Sequence, residues 1–201
     1  MNGPTRGRDV FIPLAWIIGG REQAGHGWAM LMNALAAGRG ISLPAMGTAA
    51  SKQMARVTAQ YASLRQQFHL PIGKLEGVEE VIARIAGHAY ALEAARRLTC
   101  VGLDLGEEPG VVTAMMKYAC TERMRQAVND AMDVHAGKGI SEGPRNYISS
   151  LYQAVPVGIT VEGANILTRS LIIFGQGALR CHPFLRRELE ILALPDRGHA
   201  E

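Results

Sequence analysis

Apolar residues recur at three- and four-residue spacings along most of this chain. From Gly27 to about Phe68, the residues Leu31, Leu35, Met46, Ala50, Met54, Val57 and Leu64 share one broad face, which predicts a long helix. Gly38, Gly40 and Pro44 interrupt its middle and predict a kink or a break. Residues 69–74 read as a loop. Val78, Val81, Ile82, Ile85, Ala86, Ala89, Leu92, Ala94 and Ala95 give the cleanest helix, over 76–105, ended by Gly106 and Pro109. A third helix covers about 110–134 through Val112, Met115, Met116, Ala119, Ala127, Ala131 and Met132. A glycine-rich turn at 135–140 follows, then a short helix near 145–152, a loop at Pro156 and Gly158, and helices near 161–174 and 183–193. Only Val10–Ile18 leans towards a strand, closed by Gly19 and Gly20. No second convincing strand is present, so a strand there needs a sheet outside the chain. Long helices with short connectors predict an all-α fold, an antiparallel four-helix bundle.

Composition agrees with that pattern. The apolar fraction is 48% and the aromatic fraction only 5%, which suits a core of Ala, Leu, Ile and Met on helices better than a β-sandwich. The 201 residues suffice for one domain with a real core. A net charge of +3, with no long basic block, argues against nucleic acid as a partner. Cys100, Cys120 and Cys181 are odd in number and widely spaced, so a disulfide framework is not expected and a reducing compartment fits. No Cys or His pair has zinc-ligand spacing, and no metal site is expected. No apolar run approaches the roughly 18 residues of a membrane-spanning helix. The first residues lack the layout of a signal peptide. The expected location is the cytoplasm, with a peripheral place at the inner membrane as an option for a longer protein.

Three places carry candidate chemistry. Glu162 lies between apolar Val161 and small Gly163 at the expected start of a helix, with Thr160 as N-cap. A carboxylate there is a candidate general base, and Gly163 lets a flat substrate approach the backbone. A glutamate in a first helical turn also simply favours the helix start. Arg39, between Gly38 and Gly40, belongs to a stretch from Gln23 to Leu75 with no acid, which suits a phosphate-bearing ligand or a solvated face paired elsewhere. Arg65 and Phe68 sit at a helix end, where an arginine can grip a pyrophosphate and a phenylalanine can cover a ring. The turn from Ala136 through Gly137 to Gly139 offers backbone N–H groups to an anion, or merely ends a helix.

Four segments in this order and spacing resemble the carboxyl-terminal region of the acyl-CoA dehydrogenases. They are Gly38-Arg39-Gly40; Arg65-Gln66-Gln67-Phe68 with Ile72-Gly73-Lys74; Asp130 to Gly139; and Val161-Glu162-Gly163 with Arg169. Asn2 to Gly7, Thr160 to Arg169, and Phe174 to Ala178 with Arg180 to Pro183 resemble the long bacterial type of fatty-acid β-oxidation. The resemblance implies that 1–24 is the end of a middle β-domain, 25–180 the helical bundle and 181–201 the start of a C-terminal extension. It also implies a fragment of a longer flavoenzyme, inactive alone. The implied activity is FAD-dependent desaturation of a fatty acyl-CoA to the trans-2-enoyl-CoA. Glu162 is implied as the base, its own N–H as a donor to the thioester carbonyl, and Arg39, Val161 and Gly163 as substrate contacts. Arg65, Phe68, Ala136, Gly137 and Gly139 are implied contacts of FAD. An electron-transfer flavoprotein and further copies of the same chain are the implied partners. An acyl-CoA oxidase, or a non-catalytic helical bundle that docks to partners, is the alternative. Val161, Ala164, His135 and Ala136 depart from the family's usual Tyr, Thr, Phe and Gly.

Overall fold

The computed structural model describes residues 3–107 and 109–193. Asn2 in the opening motif, and residues 194–201 of the expected extension, lie outside the described residues. The chain divides into two compact units at Ala34 and Leu35.

The first unit holds two short 3-10 turns, Leu14–Trp16 and Arg21–Gln23, ahead of the first helix. The strand expected over Val10–Ile18 does not form. A strand's N–H and C=O groups need a neighbouring strand, and none is offered among the described residues. The backbone bonds locally instead, with Trp16 N–H donating to Pro13 O at 2.9 Å and Gly20 N–H to Ile17 O at 2.9 Å. Most apolar side chains of the run stay exposed, Phe11 by 86%, and Ile17 is half-buried.

Helix α1 runs Gly27–Leu64 and α2 Glu76–Asp104, joined by a small antiparallel hairpin of β1, Gln66–Gln67, and β2, Leu70–Pro71. Then come α3, Gly110–His135, the single turn α4, Gly137–Ile140, and α5, Ser149–Thr160. A last helical stretch passes from α6, Asn165–Leu167, through a π-helical segment, Thr168–Gln176, into α7, Gly177–Cys181. Helix α8 is Leu185–Leu192.

The sequence predicts a kink or a break at the middle of α1; the helix runs unbroken from Gly27 to Leu64. Pro44 sits inside it and is buried with Leu43 and Gly47, so packing outweighs the lost backbone bond. Helix α5 likewise runs through Pro156 and Gly158, where a loop was expected. Gly158 has a packing reason: a Cβ there would lie 2.5 Å from Met46 Cε and 3.1 Å from Met124 Cε. Pro156 is exposed.

Helix α3 is the central element, packing against α2, α5 and the π-helical segment. Its buried row is Ala114, Lys117, Thr121, Met124, Val128, Ala131 and His135, at three- and four-residue steps. Val112 and Met115, expected to face inward, are about half exposed. Three polar residues in the true row rotate the face away from where apolar periodicity alone puts it. The core joins Ala50 and Met54 of α1, Ile85 of α2, Met124 and Val128 of α3, and Val155 of α5. Arg84 ties α2 to α3, its Nε and Nη2 donating to Asp130 at 2.9 and 3.0 Å.

Candidate functional site

The link between α5 and α6 is where the polar residues converge. Thr160 is the last residue of α5 and not an N-cap, its hydroxyl donating back to Pro156 O at 3.1 Å. Glu162 is therefore not in a first helical turn. It occupies the left-handed region at φ 53°, and Gly163 follows at φ 90°. For a residue with a Cβ that conformation costs about 1–2 kcal/mol, and it persists only where the surroundings impose it. The Oε2 of Glu162 is buried without a hydrogen-bond partner.

The carbonyls around the turn are met by a side chain of α3. Lys117 is fully buried, and its Nζ donates to Ile159 O at 3.2 Å, Gly163 O at 2.8 Å and Asn165 Oδ1 at 2.6 Å. Asn165 in turn donates to Thr121 Oγ1 at 3.0 Å and Glu122 Oε1 at 2.7 Å. Thr168, also buried, donates to Gly163 O at 3.0 Å. Arg39 on α1 is 2% exposed and its Nε has no partner. Burial lowers the pKa of Arg39, and the nearby charge of Glu162 works the other way. Two buried cations and a carboxylate with a free oxygen thus share one end of the helical unit. Arg39, Val161, Glu162 and Gly163, singled out by sequence, are brought into this region.

The other predicted residues sit elsewhere. Phe68 and His69 form the two-residue turn of the β1–β2 hairpin, at φ 52° and 63°. Both central residues of such a turn need positive φ, which Asn and Gly usually supply. Phe68, on the strained tip, is 80% exposed, and Arg65, at the base of the hairpin, is exposed as well.

Ala136 links α3 to α4 at φ 47°. The turn is tighter than a free loop: Gly139 N–H donates to Ala136 O at 2.9 Å, and Asn146 Nδ2 donates to Gly139 O at 2.8 Å. Gly139 is a packing glycine, since a Cβ would meet Ile148 Cδ1 and Met132 Sδ at 3.2 Å, while Gly137 is open. A surface cleft of about 690 Å³ beside it is lined by Asn129, Asp133, Ala136, Glu142 and Tyr152. His135 is core: it stacks on Tyr61 at 4.3 Å, its Nδ1–H donates to Ala131 O at 2.7 Å, and its Nε2 accepts from the Tyr147 hydroxyl at 2.9 Å. Burial lowers its pKa, which agrees with that neutral tautomer. Among the described residues no group of His, Cys, Asp and Glu is arranged to hold a metal.

The sequence profile described as acyl-CoA dehydrogenase, C-terminal domain, matches residues 25–175, about three quarters of the chain. The chain belongs to this family. A probable acyl-CoA dehydrogenase of Mycobacterium tuberculosis, FadE10, is 32% identical over 157 residues, 78% of this chain and 23% of its own length. Protein HemX of Proteus mirabilis is 55% identical over 58 residues, 29% of this chain and 34% of its own. Among solved structures, a glutaryl-coenzyme A dehydrogenase in complex with glutaryl-CoA is 26% identical with a TM-score of 0.69, covering 78% of this chain and 39% of that one. The chain spans between about a quarter and two fifths of the length of these relatives. The expected all-α, acyl-CoA dehydrogenase C-terminal fold is the one observed.

Sequence reasoning passed over Lys117, Asn165 and Thr168 as parts of the site. One signal was available for Lys117. It continues the three- and four-residue row of α3 that ends in Met124, Val128 and Ala131, and a lysine in a buried row demands acceptors.

Proposed function

We propose that this chain is the substrate-facing helical part of an FAD-dependent acyl-CoA dehydrogenase, with Glu162 as the base. The observation that carries the reading is a carboxylate held in a left-handed turn, with a buried and unpartnered oxygen, beside a buried arginine. Such an oxygen has its lone pairs free for a substrate proton. In this reading Glu162 removes the α-proton of a fatty acyl-CoA thioester, and its own backbone N–H donates to the thioester carbonyl as enolate charge builds there. Gly163 leaves room for the thioester to lie against the turn, Val161 covers its other side, and Arg39 keeps the pocket positive. Flavin, when bound, supplies the hydride acceptor that completes the desaturation to the trans-2-enoyl-CoA.

The residues present fit that cofactor. Phe68 is displayed outward on a strained tip and Arg65 outward at the base of the same hairpin, as expected of groups that serve a ligand rather than their own core. Arg65 would grip a pyrophosphate and Phe68 would cover a ring. The cleft beside Ala136, Gly137 and Gly139 carries Asp133 and Glu142, which suit an amino-bearing base such as adenine better than phosphate. Electron-transfer flavoprotein as acceptor, and a homo-oligomer formed through the helices, complete the reading.

The test uses the flavin-loaded protein that carries this chain. Glu162→Gln abolishes bleaching of bound flavin by a fatty acyl-CoA under anaerobic conditions while the flavin stays bound. Bleaching at the parent rate would remove Glu162 from the reaction.

A further inference from the structure

A lysine whose ammonium is wholly withdrawn from water is an expensive core residue. Stripping a charge of its hydration costs several kcal/mol unless every donor finds an acceptor, and a methionine of similar volume packs without that cost. Lys117 meets the demand in a particular way. Its three acceptors all come from one seven-residue stretch, Ile159–Asn165, which lies more than forty positions away in the chain. Two of the three are backbone carbonyls, and they flank Glu162: Ile159 O on one side and Gly163 O on the other. The third, Asn165 Oδ1, begins α6 and is itself fastened to Thr121 and Glu122 of α3.

The backbone between those anchors is the part of the site that will not hold itself. Glu162 at φ 53° and Gly163 at φ 90° are consecutive left-handed residues, and the Glu162 Cβ disfavours that state. Relaxation of Glu162 to negative φ swings the Gly163 carbonyl away, and with it the direction of the Glu162 side chain. The ammonium opposes that motion, because Gly163 O is its acceptor at 2.8 Å and accepts also from Thr168 Oγ1 at 3.0 Å.

We propose that Lys117 is a positioning residue for Glu162: by clasping the carbonyls of Ile159 and Gly163 and the amide of Asn165, it holds the strained turn that aims the carboxylate. This rests on the reading of Glu162 as the base, and it assigns to α3 a part in the reaction that its distance in sequence conceals. Lys117 touches neither thioester nor flavin in this assignment. It acts through the backbone of the residue that does.

Two measurements on the flavin-loaded protein test it. The first is amide hydrogen exchange in Lys117→Met, which needs no assumption about the reaction. Exchange over residues 160–165 rises by about ten-fold or more, while the core amides of α2 and α3 keep their protection. An unchanged turn, or a uniform rise over the whole chain, would overturn the proposal. The second is the anaerobic rate of flavin bleaching by acyl-CoA against the acyl-CoA dissociation constant. The rate falls about 100-fold, the penalty of a base misplaced by about an ångström, and the dissociation constant stays within about two-fold. Equal losses in both would mark a merely structural residue and refute positioning. If Lys117→Met does not fold, Lys117→Gln, which still donates to one carbonyl, replaces it and is expected to loosen the turn to a lesser degree; parent-like exchange in it refutes the clasp. The two readings fail separately. Bleaching that survives Glu162→Gln refutes the base, whereas a turn unmoved by loss of the ammonium refutes the clasp.

Discussion

Burial strips the Lys117 ammonium of water and the Arg39 guanidinium repels it, and together they bring its pKa from 10.5 to about 8 against the attraction of Glu162 and Glu122. In the unfolded chain the same amine keeps its proton up to about pH 10.5. Between about pH 8 and 10.5 the unfolded state therefore binds more proton than the folded one, and stability rises with pH across that window. The full span corresponds to about 3 kcal/mol. Cys120 works in the opposite direction above pH 9, because burial pushes its thiol up to about 12. The measurement is thus a comparison of urea unfolding at pH 7.5 and pH 10 in the parent and in Lys117→Met. The parent gains stability relative to the variant at the higher pH. At this scale the sequence was half legible. Arg39 and Glu162 stand out as charges in apolar or glycine-flanked settings, and the structure buries Arg39 and half-buries Glu162, with its Oε2 out of water, at one end of the helical unit. Lys117 escaped because a lone lysine on a long helix normally reaches solvent, and only the register of its neighbours reveals that this one does not.

Helices α1 and α3 meet at backbone distance. A Cβ on Gly47 would lie 2.8 Å from Cys120 O, and one on Gly40 would lie 2.5 Å from Thr113 Cγ2. The two glycines are seven positions apart, hence on one face of α1, and Arg39 is carried on the same approach. At Gly47 the obstacle is a backbone carbonyl that cannot swing aside. Gly47→Ala should cost about 1–3 kcal/mol, read as a lower midpoint in urea unfolding with an unchanged slope. Element placement was well read where periodicity is long and clean, as in α2 and α3. It failed where local rules met packing. Pro44 predicts a kink or a break and Pro156 a loop, yet both lie inside helices. The sequence places a helix start at Glu162, because Thr160 has the chemistry of an N-cap; its hydroxyl instead closes on its own preceding turn. No propensity predicts a glutamate at positive φ; the clasp that holds it is tertiary.

For the molecule as a whole, fold class and family were legible from motif order, whereas the strand of Val10–Ile18 was not a strand among the described residues. An extended segment is defined by what lies beside it, so a sequence shows only its readiness to pair. The three cysteines differ in the same contextual way: Cys181 is exposed, Cys100 half-buried and Cys120 buried. Cys120 belongs to the very residue whose carbonyl Gly47 approaches. This close approach makes the seam between α1 and α3 a natural clock. A small alkylating reagent consumes Cys181 at once, while Cys120 reacts only during moments when the helices part, first as a hidden group and then as a thiolate of ordinary acidity. Its alkylation rate, followed by mass spectrometry, counts those openings, and it should slow when a ligand bridges Arg39 and Glu162. A Cys120 that alkylates as fast as Cys181 would mean that the seam is never closed.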